Sequence, residues 1–354
     1  MLRDSFLQLV RLGIGHTDTT EITDNVDWNG LKALAEKQGL NAVVLDGVEV
    51  CHIESVPLRQ KLEWIGAVVQ NETIQKEQQK TAEQIAELFH QNGIRTYVLK
   101  GAVVAECYPK PSYRLSADFD CFLLAEDGGA DVWELGNQLI EKNGYQVDKN
   151  FYKNSTFHLP NLMVENHRFM VPFRGNDRLK RLEVILQDIL KRDKGEDKFD
   201  GTWLYRPPVM VSALFLIEHA YSHFLHEGLT WKMVLDWMLF SKKHKEEIDW
   251  YSLDALIDEF GFRKFYDSFY RLGQYLIGEL QESSLSFQDK RMLEDIWSEL
   301  DLHDTVKGLK GKLALVGNTW RARWKYRYFS EISMLHALWI QAKGVLFIKE
   351  PKLS

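Results

Sequence analysis

Three features of the 354-residue sequence predict an α+β fold: a small mixed-sheet core flanked by N-terminal helices and a large helical C-terminal region. First, apolar residues recur at helical spacing over most of the chain. Second, between residues 91 and 175 that period gives way to short β-rich runs alternating with helices. Third, the chain is 45% hydrophobic and 27% charged with only 8 prolines, which excludes disorder, collagen and a coiled coil. The expected organisation is an N-terminal helical segment at 1–90, an α/β core at 91–175 and a helical C-terminal domain at 176–354.

The elements follow in order. Met1 leads directly into a helical pattern rather than an apolar signal core. Over 27–39, Trp28, Leu31, Leu34 and Ala35 share one helix face and Gly39 ends it. Over 58–92, Leu62, Ile65, Val69, Ile74, Ala82, Ile85 and Leu88 supply an apolar face around a polar Gln/Glu/Lys run, and Asn92-Gly93 stops the helix. RTYVLK at 95–100 reads as a strand, and 101–108 as a helix. Pro109 and Pro111 bracket a loop. DFDCFLLA at 118–125 alternates and then runs apolar, like a strand entering a core, and Gly128-Gly129 breaks it. A helix at 132–142 ends at Asn143-Gly144, and short strands fit 145–149, 156–159 and 162–170. Residues 178–192 are amphipathic, and a charged, glycine-containing linker follows at 193–201. Pro207-Pro208 opens an apolar helix at 209–226, with further helices at 230–244, 250–259, 262–281, 288–300 and 331–347.

The formal net charge is −7, which weighs against a protein coated with nucleic acid but leaves room for a local basic groove. The cysteines are Cys51, Cys107 and Cys121. Their odd number and wide spacing weigh against a disulfide framework or a structural zinc finger and fit a reducing cytoplasm. The longest uncharged stretches, 207–217 and 332–342, are 11 residues each, too short to cross a bilayer, so a soluble chain with no membrane partner is expected.

The densest chemistry lies in YVLKGAVVAECYPKPSYRLSADFDCF, residues 97–122. On a strand, Asp118 and Asp120 project to one face while Phe119 points the other way. Adjacent carboxylates repel unless a cation sits between them, and a hard divalent ion such as Mg²⁺ suits that place. Upstream, Lys100-Gly101 forms a strand-to-helix turn. Its glycine admits a phosphate, its lysine meets a second one, and the helix start offers unpaired N–H groups. Arg114, four residues before Asp118, can fork onto phosphate oxygens. Glu165 and His167 share one face of the 162–170 strand, with Val164 and Asn166 on the other. Glu165 can complete a metal site or act as general base on an attacking hydroxyl. Each piece also has a plainer explanation: an edge strand for the D-x-D, an ordinary turn for Lys100-Gly101, solvated polar residues for Glu165 and His167. Their ordered combination favours chemistry.

This order resembles the uncharacterised nucleotidyltransferases of the DNA polymerase β-like superfamily. The matching pieces are Leu99-Lys100-Gly101, Arg114-Leu115-Ser116-Ala117-Asp118-Phe119-Asp120 and Val164-Glu165-Asn166-His167. His223 follows, then Lys232 and Asp236 where the family usually shows an Arg-x-x-x-Asp helix, so the resemblance spans roughly residues 80–240. It departs at Ala102, at Phe119 and Cys121, and in the 17-residue step from Gly101 to Asp118. The resemblance implies transfer of a nucleoside monophosphate from an NTP to a hydroxyl acceptor, with Mg²⁺ or Mn²⁺ as cofactor and pyrophosphate as product. Asp118, Asp120 and Glu165 would be catalytic and hold metal. Lys100, Gly101, Arg114 and Ser116 would bind nucleotide, and His167, His223, Lys232 and Asp236 would line the cleft. The acceptor stays open among a small molecule, an RNA end and a protein hydroxyl. A catalytically inactive nucleotide-binding or interaction module and a metal-dependent phosphohydrolase are the alternatives.

Three motifs carry competing readings. His219, His223 and His226 lie on one helix, and His219 and His223 are one turn apart, a spacing zinc can use, but HExxH is absent and packing or substrate contact is favoured. Lys232 and Asp236 also fit a helix-surface ion pair. WRARWKYRY at 320–328 can stack on nucleic acid, although the acidic chain favours a cationic helix end with its tryptophans in the core.

Overall fold

The computed structural model describes residues 2–20, 22, 26–50, 56–127, 131–298, 322–347, 351 and 353, without the side chains of 341 and 345–347. Cys51, Gly128-Gly129 and Trp320 lie outside the described residues. The architecture is α+β, with fourteen α-helices among the described residues and a six-stranded mixed sheet. Two compact units are built from interleaved segments: Met1–Val68, Ile217–Lys245 and Trp250–Trp339 form the first, and Val69–Leu216, Glu246–Asp249 and Ile340–Ser354 the second. No helix among the described residues is long and apolar enough to cross a membrane.

The first unit opens with α1 (Leu2–Gly13), α2 (Trp28–Lys37) and α3 (Asn41–Val50). The Asp27 side chain caps α2 by accepting from the Gly30 N–H at 3.0 Å. Helix α3 is buried nearly all round, so its sequence shows no helical period to predict it from. Helix α4 (Leu58–His90) crosses from the first unit into the second. Its apolar face is not continuous: Leu62, Val69 and Ile74 are exposed, while Trp64, Ala82, Ile85, Ala86 and Phe89 are buried.

The second unit contains β1 (Ile94–Val98), the short α5 (Ala102–Ala105), β2 (Asp118–Ala125), α6 (Trp133–Lys142) and β3 (Val147–Asp148). β4 (Asn154–Leu159), β5 (Leu162–His167), α7 (Asp177–Arg192) and β6 (Leu204–Tyr205) follow. The strand order is β3-β4-β5-β2-β1-β6. β2 lies inside the sheet, antiparallel to β1 and parallel to β5. β5 stops at His167 rather than Met170, because the N–H groups of Arg168 and Phe169 both turn to the Lys153 carbonyl. The expected helix at 101–108 closes after one turn, and β6 pairs with β1 over too few residues to leave a sequence pattern. Asn176 caps α7 by accepting from the N–H groups of Arg178 and Leu179.

Helix α8 (Val209–His226) returns the chain to the first unit, followed by α9 (Trp231–Lys243), α10 (Trp250–Glu259), α11 (Arg263–Ile277) and α12 (Phe287–Ser298). Helix α13 (Arg323–Phe329) and α14 (Met334–Phe347) are the last helices among the described residues. Thr230 caps α9, and Gly278, at φ 90°, ends α11 in the left-handed conformation.

Candidate active site

The register of the sheet builds the site. β2 runs parallel to β5 with Asp120 beside Glu165 and Phe122 beside His167. Side chains two apart on a strand share a face, so Asp118, Asp120, Glu165 and His167 come to one side of the sheet. The opposite face of β5 is clamped to α6. The Asn166 Nδ2 donates to Asn137 Oδ1 at 2.9 Å, Ser155 Oγ donates to the same oxygen at 2.6 Å, and Trp133 Nε1 donates to the Asn166 carbonyl at 2.9 Å. Gly136 lets α6 approach, since a Cβ there would come within 2.2 Å of Leu123 Cδ1. Phe119, on the opposite face from the aspartates, is half-buried.

His167 Nε2 lies 3.0 Å from Asp120 Oδ1 and 3.5 Å from Glu165 Oε2. Its Nδ1 is 3.3 Å from the Phe169 carbonyl, which can only accept. The backbone carbonyl thus steadies the ring through Nδ1, and Nε2 is the nitrogen aimed at the carboxylates. Lys100 Nζ lies 3.1 Å from Asp120 Oδ2 and 3.8 Å from Asp118 Oδ2. The cluster is graded in depth: the Asp120 and His167 side chains are 2% exposed, while Asp118 is 23% and Glu165 30% exposed.

Electrostatics follow from this packing. Burial works against the charge of Lys100, but Asp120 and then Asp118 outweigh it and raise its pKa above the ordinary lysine value. Burial likewise opposes the imidazolium of His167, while hydrogen bonds to Asp120 and Glu165 raise its pKa. The Cys121 thiol is buried beside Asp120 and Glu165; burial and then the two carboxylates push its pKa up, so it stays a neutral core thiol.

Among the described residues, the one group of three or more potential metal ligands is Asp120, Glu165 and His167, whose donor atoms lie within 4.8 Å of one another. Two carboxylate oxygens suit Mg²⁺ or Mn²⁺, and the imidazole nitrogen shifts the set toward the transition ion. Asp118 stands beside this group on Lys100.

The four residues expected to bind nucleotide are gathered around one turn. The Arg114 Nη1 donates to Ser116 Oγ at 2.8 Å and to the Gly101 carbonyl at 3.3 Å. Arg114 is only 4% exposed, so it fastens the proline-bounded loop to the Lys100-Gly101 turn. Gly101 takes φ 55°, a left-handed conformation that disfavours a side chain. The polar middle of α4 anchors the same loop. Gln75 Nε2 donates to the Arg114 carbonyl at 2.6 Å, and Ser112 Oγ donates to Glu72 at 2.8 Å. A long polar run inside a helical pattern was the sequence signal for these contacts.

The remaining candidates belong to the first unit. His223 on α8 pairs through Nδ1 with Glu227 at 3.0 Å, its ring 4.3 Å from that of His219. On α9, the stem of Lys232 passes over Gly39, and Asp236 is buried.

No curated protein and no solved structure matches the chain. The sequence model of one family, described as an uncharacterised nucleotidyltransferase, matches residues 24–278, well over half of the chain. That span holds every residue of the carboxylate cluster and the turn beside it, and the chain belongs to the uncharacterised nucleotidyltransferase family.

Proposed function

We propose that this chain transfers a nucleoside monophosphate from an NTP to a hydroxyl acceptor, releasing pyrophosphate, with a divalent ion as cofactor. The observation that supports it is the convergence of Asp120, Glu165 and His167, with Asp118 and Lys100 beside them, in a member of this family. Asp120, Glu165 and His167 would hold Mg²⁺ or Mn²⁺. Such an ion, when bound, neutralises charge that develops on the α-phosphoryl group and on the leaving pyrophosphate.

The chain's own residues do the rest. Lys100, which balances two carboxylates, carries a point charge on an unbranched stem that can turn to a triphosphate. Arg114, Ser116 and Gly101 fix the turn that carries it. Asp118 and Glu165 are the two partly exposed carboxylates, and an oxygen of either can take the proton of the acceptor hydroxyl as its oxygen attacks. His167, packed edge-on against Phe215 with ring centroids 6.1 Å apart, holds its orientation toward Asp120. The acceptor class is left to experiment.

The test is a thermal-shift panel of the four NTPs with and without Mg²⁺ or Mn²⁺, paired with product analysis. A nucleotide at about 100 times its Kd adds ~2.7 kcal/mol, a shift of a few degrees. The expected result is a metal-dependent shift that the Asp118→Asn/Asp120→Asn variant loses, with pyrophosphate as product. Orthophosphate as product would select a phosphohydrolase. Stabilisation without turnover on any acceptor would select a binding module. Absence of any metal-dependent shift in the wild type would overturn the proposal.

A further inference from the structure

The described part of the WRARWKYRY motif, residues 322–328, belongs to the first unit, and its side chains fall into two groups. Helix α13 turns Lys325, Tyr326 and Phe329 inward. Lys325 Nζ lies 2.7 Å from Asp295 Oδ2, the Tyr326 hydroxyl 3.4 Å from His226 Nε2, and the Phe329 ring 5.1 Å from that of Phe224. The same helix leaves Arg323 and Arg327 exposed, one turn apart. With Arg291 of α12 and the start of α14, they line a cavity of about 770 Å³ whose walls also carry Phe287, Trp324 and Tyr328. Residues 287–335 lie outside the 24–278 span that the family model matches, so this cavity is a property of this chain's C-terminal part.

Its chemistry is specific. Among the described residues, none that lines it is acidic, in a chain whose formal net charge is −7. The arginines lie by aromatic faces: Arg291 is 4.7 Å from the Trp324 ring centre and Arg327 5.6 Å from that of Tyr328. Phe287 meets Tyr328 edge-on at 5.7 Å and is 61% exposed. On α14, Leu335 and Trp339 are 70% and 60% exposed. A ligand complementary to such walls is anionic and carries flat rings. The stacked bases of a duplex cannot enter a cavity, whereas those of a single strand can. A membrane surface needs a protruding apolar face rather than a hollow one. The exposed Trp339 ring on α14 offers further stacking for a chain of bases.

We propose that this cavity binds a single-stranded nucleic acid, with Arg291, Arg323 and Arg327 on its phosphates and Phe287 and Tyr328 against its bases. The reading is independent of the carboxylate site and requires neither NTP nor metal.

The test is fluorescence anisotropy of a 5′-fluorescein-labelled RNA of about 12 nucleotides, in EDTA and without NTP. Three phosphate contacts predict a slope of log K against log salt of about −2. Arg323→Gln/Arg327→Gln should weaken binding about tenfold or more and reduce that slope by ~1.4. Phe287→Ala, at an exposed position, should weaken it about tenfold. Arg59→Gln, an exposed arginine on α4, and Asp120→Asn should leave it unchanged, which separates this result from any failure of the nucleotidyl-transfer reading. The proposal is overturned by wild-type protein that does not bind, or by variants that bind equally well. It also falls if a duplex or a mononucleotide displaces the probe as effectively as unlabelled strand. Cosedimentation with phosphatidylserine vesicles in the absence of RNA binding would make the cavity a membrane contact instead.

Discussion

Two side chains meet one buried carboxylate at Asp120: the Lys100 ammonium at 3.1 Å on one oxygen and the His167 imidazole at 3.0 Å on the other. A carboxylate this deep is tolerated only when paired, because desolvation costs several kcal/mol. Asp120→Asn keeps the shape and removes the charge. In a folded variant, verified by circular dichroism, nucleotidyl transfer should fall about a hundredfold or more, equivalent to ~2.7 kcal/mol of barrier. His167→Ala separates the metal role from general packing. It removes one donor from the group of three while Asp120 and Glu165 remain, so Mn²⁺ affinity read by calorimetric titration should fall about 10- to 100-fold. An unchanged Mn²⁺ isotherm would remove His167 from the ligand set. The sequence showed the face shared by Glu165 and His167, because i and i+2 on a strand are a local fact. It could not show that Lys100 folds back onto the aspartates, since that depends on pairing between β1 and β2.

Elements differ in how far the sequence exposes them, and α1 and α3 explain why. β2 and α8 occupy the residues that pattern alone assigned them, because alternation and length mark them clearly. Helix α3 is hidden: Ala42, Val43, Val44, Leu45 and Val48 are all buried, so no polar face gives away its period. What holds it is close approach to α1. A Cβ on Gly13 would come within 2.0 Å of the Val43 carbonyl oxygen, and one on Gly47 within 2.2 Å of the Leu9 carbonyl oxygen. Backbone atoms cannot step aside as a flexible side chain can. Gly47→Ala should therefore destabilise by about 1–3 kcal/mol despite the better helix propensity of alanine. Gly66, on α4, has nothing within 4 Å of its Cβ position. Gly66→Ala should stabilise by up to about 1 kcal/mol through propensity alone. Urea midpoints of the two variants moving in the same direction would contradict the close-packing account of α1 and α3.

At the scale of the whole molecule, the chain ties together segments that no local pattern relates. Gln38 donates to the Ile296 carbonyl at 3.2 Å and accepts from the Trp231 N–H at 2.7 Å, joining three distant parts of the first unit. The same long-range burial gives global stability a pH dependence that the sequence conceals. Glu183 sits in the amphipathic pattern of α7, where a glutamate reads as solvated. In the structure it is fully buried, accepting from the Val171 N–H at 2.8 Å and from Gln187 Nε2 at 2.7 Å. Burial raises its pKa to about 7 from 4.5, against the lowering effect of those hydrogen bonds. The folded state therefore holds this proton more tightly than the unfolded state. The associated stability is fully present below about pH 4.5 and is lost as pH rises through about 7, a swing of about 3 kcal/mol. Glu183→Gln cannot ionise. It forfeits one acceptor at every pH, so it should be less stable than wild type in acid. Across pH 4.5 to 8 that deficit should shrink or reverse by about 3 kcal/mol as the wild type takes on a buried charge. Urea unfolding of both proteins at several pH values reads this directly. Parallel stability curves, separated by the same amount at every pH, would mean that Glu183 ionises in the folded chain as easily as in the unfolded one.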